Sequence, residues 1–143
     1  MIDNNFCDEF DAIVSSAIEF NLKNRSDFLG EYSYFPIFGA MNFFTVRINL
    51  GRRTGKTTYI KRYAAKNSAL VVTSLNKPYS DNIYKGCNVV GCDDLLEANC
   101  GIYKKYDIIF FDEAKTTFLK FNEYDIYSNL VNPLKHQLFI QLG

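Results

Sequence analysis

Asn49-Leu50-Gly51-Arg52-Arg53-Thr54-Gly55-Lys56-Thr57-Thr58 is the stretch on which the reading of this chain turns. It follows the apolar run Phe43-Phe44-Thr45-Val46-Arg47-Ile48 and opens the segment Thr57-Thr58-Tyr59-Ile60-Lys61-Arg62-Tyr63-Ala64-Ala65-Lys66. Strand, glycine-containing loop and helix, in that order, are the setting a phosphate-binding loop requires. Gly51 and Gly55 let the backbone curl so that successive N–H groups point inward at phosphate oxygens, and a helix N-terminus adds partial positive charge. Lys56 reaches the β- and γ-phosphates in such a loop, and the Thr57 hydroxyl can ligate the Mg²⁺ that travels with them. The usual spacing puts a glycine where this chain has Leu50, so the cradle starts instead at Gly51 and continues into two arginines.

Working outward, a second acidic site strengthens the first. Tyr106-Asp107-Ile108-Ile109-Phe110-Phe111 is an apolar run ending in the adjacent carboxylates Asp112 and Glu113. A strand buried on both faces, with acids at its carboxyl end, delivers them to the ligand edge of a parallel sheet. Asp112 can hold Mg²⁺ there through the ion's water shell, as hard oxygen ligands do. Glu113, one residue on, can act as general base toward an attacking water. The bland alternative, solvated acids that merely cap a helix, loses weight because Gly55-Lys56-Thr57 lies upstream.

Between and around these motifs, periodicity predicts an alternating α/β chain. An amphipathic helix is expected over 6–22, with Phe6, Phe10, Ile13, Ala17 and Phe20 on its apolar face. Residues 23–42 read as an aromatic loop, whose rings cover an edge of the sheet or stack on an adenine ring. Strands are expected at Ala69–Thr73, Asn88–Val90 and Leu138–Leu142, short helices near 79–84 and 93–98, and helical spacing over 115–135.

Bulk properties limit the possibilities. The 143 residues suit one domain, read here as an N-terminal helix and aromatic loop over 1–42 followed by a nucleotide-binding core over 43–143. The formal net charge is zero, so no global electrostatic term favours nucleic acid, although a local basic patch would still allow it. Four cysteines without a Cys-x-x-Cys pair, and one histidine, argue against zinc. With no apolar run near membrane-spanning length and no leader pattern, the expectation is a soluble protein of a reducing cytoplasm, the host's if the chain is viral, with no membrane partner.

The loop Gly51-Arg52-Arg53-Thr54-Gly55-Lys56-Thr57 resembles the ATP-binding loop of the large terminase subunits that package viral DNA. Val71-Val72-Thr73-Ser74 and the run from Asp94 through Asp112-Glu113-Ala114 are similar to the following segments of terminases and superfamily 2 helicases. The resemblance covers roughly residues 43–143. It implies a RecA-like P-loop NTPase core, with a mostly parallel sheet flanked by helices and the last strand inserted between the loop strand and the acidic strand. It also implies Mg²⁺-dependent ATP hydrolysis coupled to double-stranded DNA. On that basis Gly51, Arg52, Arg53, Thr54, Gly55, Lys56, Thr57 and Thr58 would bind nucleotide, and Thr57 and Asp112 the metal. Glu113 would activate water beside Lys56, and Arg52 or Arg53 would sense the γ-phosphate. Terminases continue into a nuclease domain and helicases into a second RecA-like half, whereas this sequence stops at Gly143. Gln141 stands where those families carry a coupling serine or threonine.

Three functions therefore compete. The first is a terminase-like ATPase core, slow alone, with an oligomer or protein partner supplying the missing motor parts. The second is a nucleotide-binding or inactive P-loop domain that regulates a DNA motor by protein–protein contact. The third, a small-molecule kinase, lacks its usual arginine-rich lid, since residues 114–143 contain no arginine.

Overall fold

The computed structural model describes residues 4–25, 35–49, 56–66, 68–75, 77–98 and 101–143. Five strands form one all-parallel sheet: β1 (Thr45–Ile48), β2 (Ala69–Thr73), β3 (Asn88–Gly91), β4 (Ile108–Asp112) and β5 (Leu138–Leu142). Their order is β1-β5-β4-β2-β3. The last strand is thus inserted between β1 and β4, pairing Arg47 with Gln141 on one side and Asp112 with Leu142 on the other. Every residue of β2 and β5 is buried, which explains their unbroken apolar runs: helices cover both faces of the sheet.

The α-helices among the described residues are α1 (Asn4–Asn24), α2 (Pro36–Phe43), α3 (Lys56–Lys66), α4 (Lys77–Ile83), α5 (Cys92–Ala98), α6 (Ala114–Lys120) and α7 (Glu123–Ser128). Strand residues alternate between two cores, as the two-residue period of a strand dictates. On one face Val46, Val71, Phe110, Ile140 and Leu142 pack with Val14 and Ile18 of α1, Tyr59 and Ile60 of α3, and Tyr84. On the other, Leu70, Val72, Ile109, Phe111 and Phe139 meet Ala40 of α2, Leu95 of α5, Ala114 of α6 and Tyr127 of α7. Phe111 stacks on Tyr127 with ring centroids 5.3 Å apart, and Tyr127 lies 4.7 Å from Phe139. Truncating a ring at the centre of such a cluster, as in Phe111→Ala, costs about 3–5 kcal/mol because a cavity is left as well as a lost transfer term.

Three expectations are corrected. Among the described side chains of α1, Val14 and Ile18 are the buried ones and Ala17 is half-buried as expected, whereas Ile13 and Phe20 are exposed, Phe20 at 71%. The side chains of Phe6 and Phe10 lie outside the described residues. Small and branched side chains let α1 approach the sheet closely, and Asp11 on the same helix pairs with Arg62 of α3 at 2.8 Å. Residues 36–43, read as loop, are helical. Pro36 occupies the first turn, where its missing N–H costs nothing, and Gly39 and Ala40 form the buried side. The helical spacing over 115–135 resolves into α6 and α7, broken at Phe121 and restarted where the Asn122 side chain accepts from the Asp125 N–H at 3.1 Å.

Among the described residues no helix is long and apolar enough to cross a membrane. Cys87 and Cys92 are free thiols, the latter buried.

Candidate active site

α3 begins at Lys56, just beyond the carboxyl edge of the sheet, and packs on the face that carries Phe110. Asp112 shares that face, being two residues beyond Phe110 on β4. The chain leaves β4 for the opposite face through α6, whereas it leaves β1 for the α3 face, so a crevice opens at this edge. Lys56, Thr57, Asp112 and Glu113 meet at this edge.

Lys56 is only 7% exposed, and its Nζ lies 3.1 Å from Oε1 of Glu113, which is 53% exposed. A cation buried so deeply needs a partner, and a carboxylate at the crevice mouth provides one. Glu113 holds the left-handed conformation (φ 51°, ψ 49°), the one non-glycine residue at positive φ among those described. For a residue with a Cβ that conformation costs about 1–2 kcal/mol. It turns the chain sharply from β4 into α6, whose first internal bond runs from the Thr117 N–H to the Glu113 carbonyl at 2.9 Å.

Asp112 is 6% exposed. Burial first, and the neighbouring Glu113 charge second, push its carboxyl up to about 6; Lys56, the Glu113 N–H and Thr57 pull the other way. Oδ2 accepts a hydrogen bond from the Tyr84 hydroxyl. Oδ1 is buried and has no hydrogen-bond partner, and the Thr57 hydroxyl lies close enough to the carboxyl to lower its pKa. An orphaned carboxylate oxygen flanked by a hydroxyl is a hard donor set of the kind Mg²⁺ takes. No group of three or more His, Cys, Asp or Glu among the described residues could hold a metal unaided. Mg²⁺ brought by phosphates needs only one or two protein oxygens.

Of the other residues expected at this site, Thr58 is exposed on the first turn of α3. Gly51, Arg52, Arg53, Thr54 and Gly55 lie outside the described residues. Gln141 faces away: its Nε2 donates to Glu123 Oε1 and to the Tyr127 hydroxyl, both at 3.0 Å. It belongs to a polar chain on the α7 face. There Tyr127 bonds Thr45 Oγ1 at 2.8 Å and Arg47 pairs with Glu123 at 2.9 Å. Phe38 packs on Tyr124 at 5.1 Å on that same face, away from Lys56, so it stands clear of the crevice.

A cavity of about 400 Å³ opens at the carboxyl edge over Arg47, Asn49, Lys115, Phe118 and Gln141, without touching Lys56 or Asp112. Gly143 borders it, so close to α6 that a Cβ would sit 2.8 Å from the Lys115 nitrogen. Sequence reasoning missed Tyr84 and the Gln141 network altogether. A tyrosine ending a short helix carries no signal that its hydroxyl will meet an acid 28 residues later.

Compared with protein-family models, with curated proteins and with solved structures, the chain matches none.

Proposed function

We propose that this chain is an ATP-binding and ATP-hydrolysing domain of RecA-like P-loop type, dependent on Mg²⁺ and working with DNA through partners, as the resemblance to terminases implies. The observation that carries the reading is the meeting of Lys56, from the start of α3, with Asp112 and Glu113, from the end of β4. The insertion of β5 between β1 and β4 supports it as well, being the strand order the resemblance predicted.

Each residue then has a role. Lys56, unpaired from Glu113 by an incoming γ-phosphate oxygen, supplies positive charge to the phosphates. Asp112 Oδ1 and the Thr57 hydroxyl would hold Mg²⁺, which when bound neutralises phosphate charge. Glu113, released from Lys56, accepts a proton from the attacking water as its oxygen bonds to the γ-phosphorus. The bond to the bridging oxygen breaks, and its electron pair leaves on ADP. Arg52 and Arg53 shortly precede Lys56 in sequence and would be the cis candidates for contacting the γ-phosphate.

The test is steady-state hydrolysis with and without Mg²⁺ and with and without double-stranded DNA. Metal-dependent turnover raised by DNA is expected. Tight ATP binding without turnover under any condition would favour the regulatory binding domain instead.

A further inference from the structure

Tyr84 is fully buried, yet its hydroxyl reaches the edge of the sheet and donates to Oδ2 of Asp112. Its ring belongs to the core on the α3 face. The backbone is held on both sides of it: the Tyr84 N–H donates to the Ser80 carbonyl at 2.9 Å, and the Cys87 N–H donates to the Tyr84 carbonyl at 2.9 Å. Gly86, at φ +87°, lies inside the turn that the second of these bonds closes, just before β3. The hydroxyl is therefore delivered from a rigid turn.

A carboxyl group turns easily about its terminal torsion, which is broad and roughly two-fold. Beside the neighbouring Glu113 N–H and the Thr57 hydroxyl, Tyr84 is the donor that reaches Asp112 from a distant segment, and it singles out Oδ2. With Oδ2 engaged and Oδ1 buried without a partner, the two oxygens are no longer equivalent. We propose that Tyr84 is the positioning residue of the metal-holding carboxylate, fixing the plane of Asp112 so that Oδ1 alone faces a hard divalent cation. The inference rests on the reading of Asp112 given above and adds a residue to it. Outer partners of this kind typically change metal affinity by about 10–100-fold when removed.

Tyr84→Phe keeps the buried ring and deletes only the donor. The full chain, its folding checked by thermal unfolding, is titrated with ATP by calorimetry, once with Mn²⁺ as the metal probe and once in EDTA. The gain in affinity that Mn²⁺ confers should fall about tenfold in Tyr84→Phe, while affinity for metal-free ATP stays the same. In the Asp112→Asn background the same substitution should change neither value. Equal loss with and without Mn²⁺, or a further loss in the Asp112→Asn background, would make Tyr84 a packing residue and overturn the proposal. An unchanged gain in Tyr84→Phe would overturn it while leaving Asp112 its role. A parent chain that gains nothing from Mn²⁺ would overturn the metal reading of Asp112 and this inference with it.

Discussion

Lys56 Nζ and Glu113 Oε1 lie 3.1 Å apart, joining the first residue of α3 to the residue that links β4 with α6. A buried ammonium and a half-exposed carboxylate thus neutralise each other at the mouth of the crevice. A γ-phosphate bound as proposed would compete for the same ammonium with more charge and more oxygens. Its arrival would exchange one ion pair for another and free the carboxylate for proton transfer.

Glu113→Gln should keep ATP affinity and lose turnover by about 10²–10⁴-fold, the usual contribution of a positioned base. Glu113→Gly should lose turnover equally and be more stable than Glu113→Gln by on the order of 1 kcal/mol, because both remove the charge that partners Lys56 and only glycine adopts the left-handed conformation of this position without strain. Urea unfolding beside single-turnover hydrolysis checks both. Equal turnover by the parent and either variant removes Glu113 from the chemistry.

Asp112 gives a pH dependence of definite sign. With its carboxyl raised to about 6, the folded chain holds a proton between roughly pH 4 and pH 6 that the unfolded chain has lost. Stability without metal should therefore fall as pH rises through that window, by roughly 3 kcal/mol at most from this group. A cation competes with the same proton, so Mg²⁺-dependent affinity should strengthen as pH rises through 6. Asp112→Asn should flatten both trends, in thermal unfolding and in metal titration respectively.

The network on the opposite face should matter for stability and not for binding. The Tyr127 hydroxyl bridges Thr45 and Gln141 in a buried setting. Tyr127→Phe removes one hydrogen bond from each partner, Thr45 keeping the Ala40 carbonyl and Gln141 keeping Glu123, and should cost about 1–3 kcal/mol in urea unfolding, with nucleotide affinity unchanged. A change in affinity would tie Gln141 to the site after all.

Arginine supply predicts a need for neighbours. Arg25 donates to the carbonyls of His136 and Gln137, Arg47 pairs with Glu123, and Arg62 pairs with Asp11. All three are engaged away from Lys56. An arginine finger is worth about 10³–10⁵ in rate. Specific activity should therefore rise with protein concentration, as a second subunit supplies that charge. Arg52→Ala and Arg53→Ala, made singly, test the cis source. Turnover of several per second by a monomer, independent of dilution, would contradict the need for a neighbour.

Much of the sheet was legible because its central strands are buried on both faces. Ala69–Thr73 and Leu138–Leu142 appear in sequence as the unbroken apolar runs that such burial demands. The acidic pair was legible for the same reason, since an apolar run fixes where Asp112 emerges. Helix faces were less legible. In α1 two apolar stripes compete, and only contact with the sheet selects Val14 and Ile18 over Ile13 and Phe20. Pro36 and Gly39 suggested a loop, yet one sits where a helix tolerates proline and the other where a helix needs a small side. Tyr84 was illegible because its role is a contact between distant segments, which no local pattern encodes.

The central claim is that Lys56 and Asp112 together bind the phosphates and metal of a nucleotide. Calorimetric titration of ATP with Mg²⁺ into the parent, Lys56→Ala and Asp112→Asn chains tests it most directly. The account predicts saturable binding by the parent, none resolvable by Lys56→Ala with its fold intact, and loss of the Mg²⁺-dependent part alone in Asp112→Asn. Lys56→Ala binding Mg²⁺–ATP as tightly as the parent would contradict it.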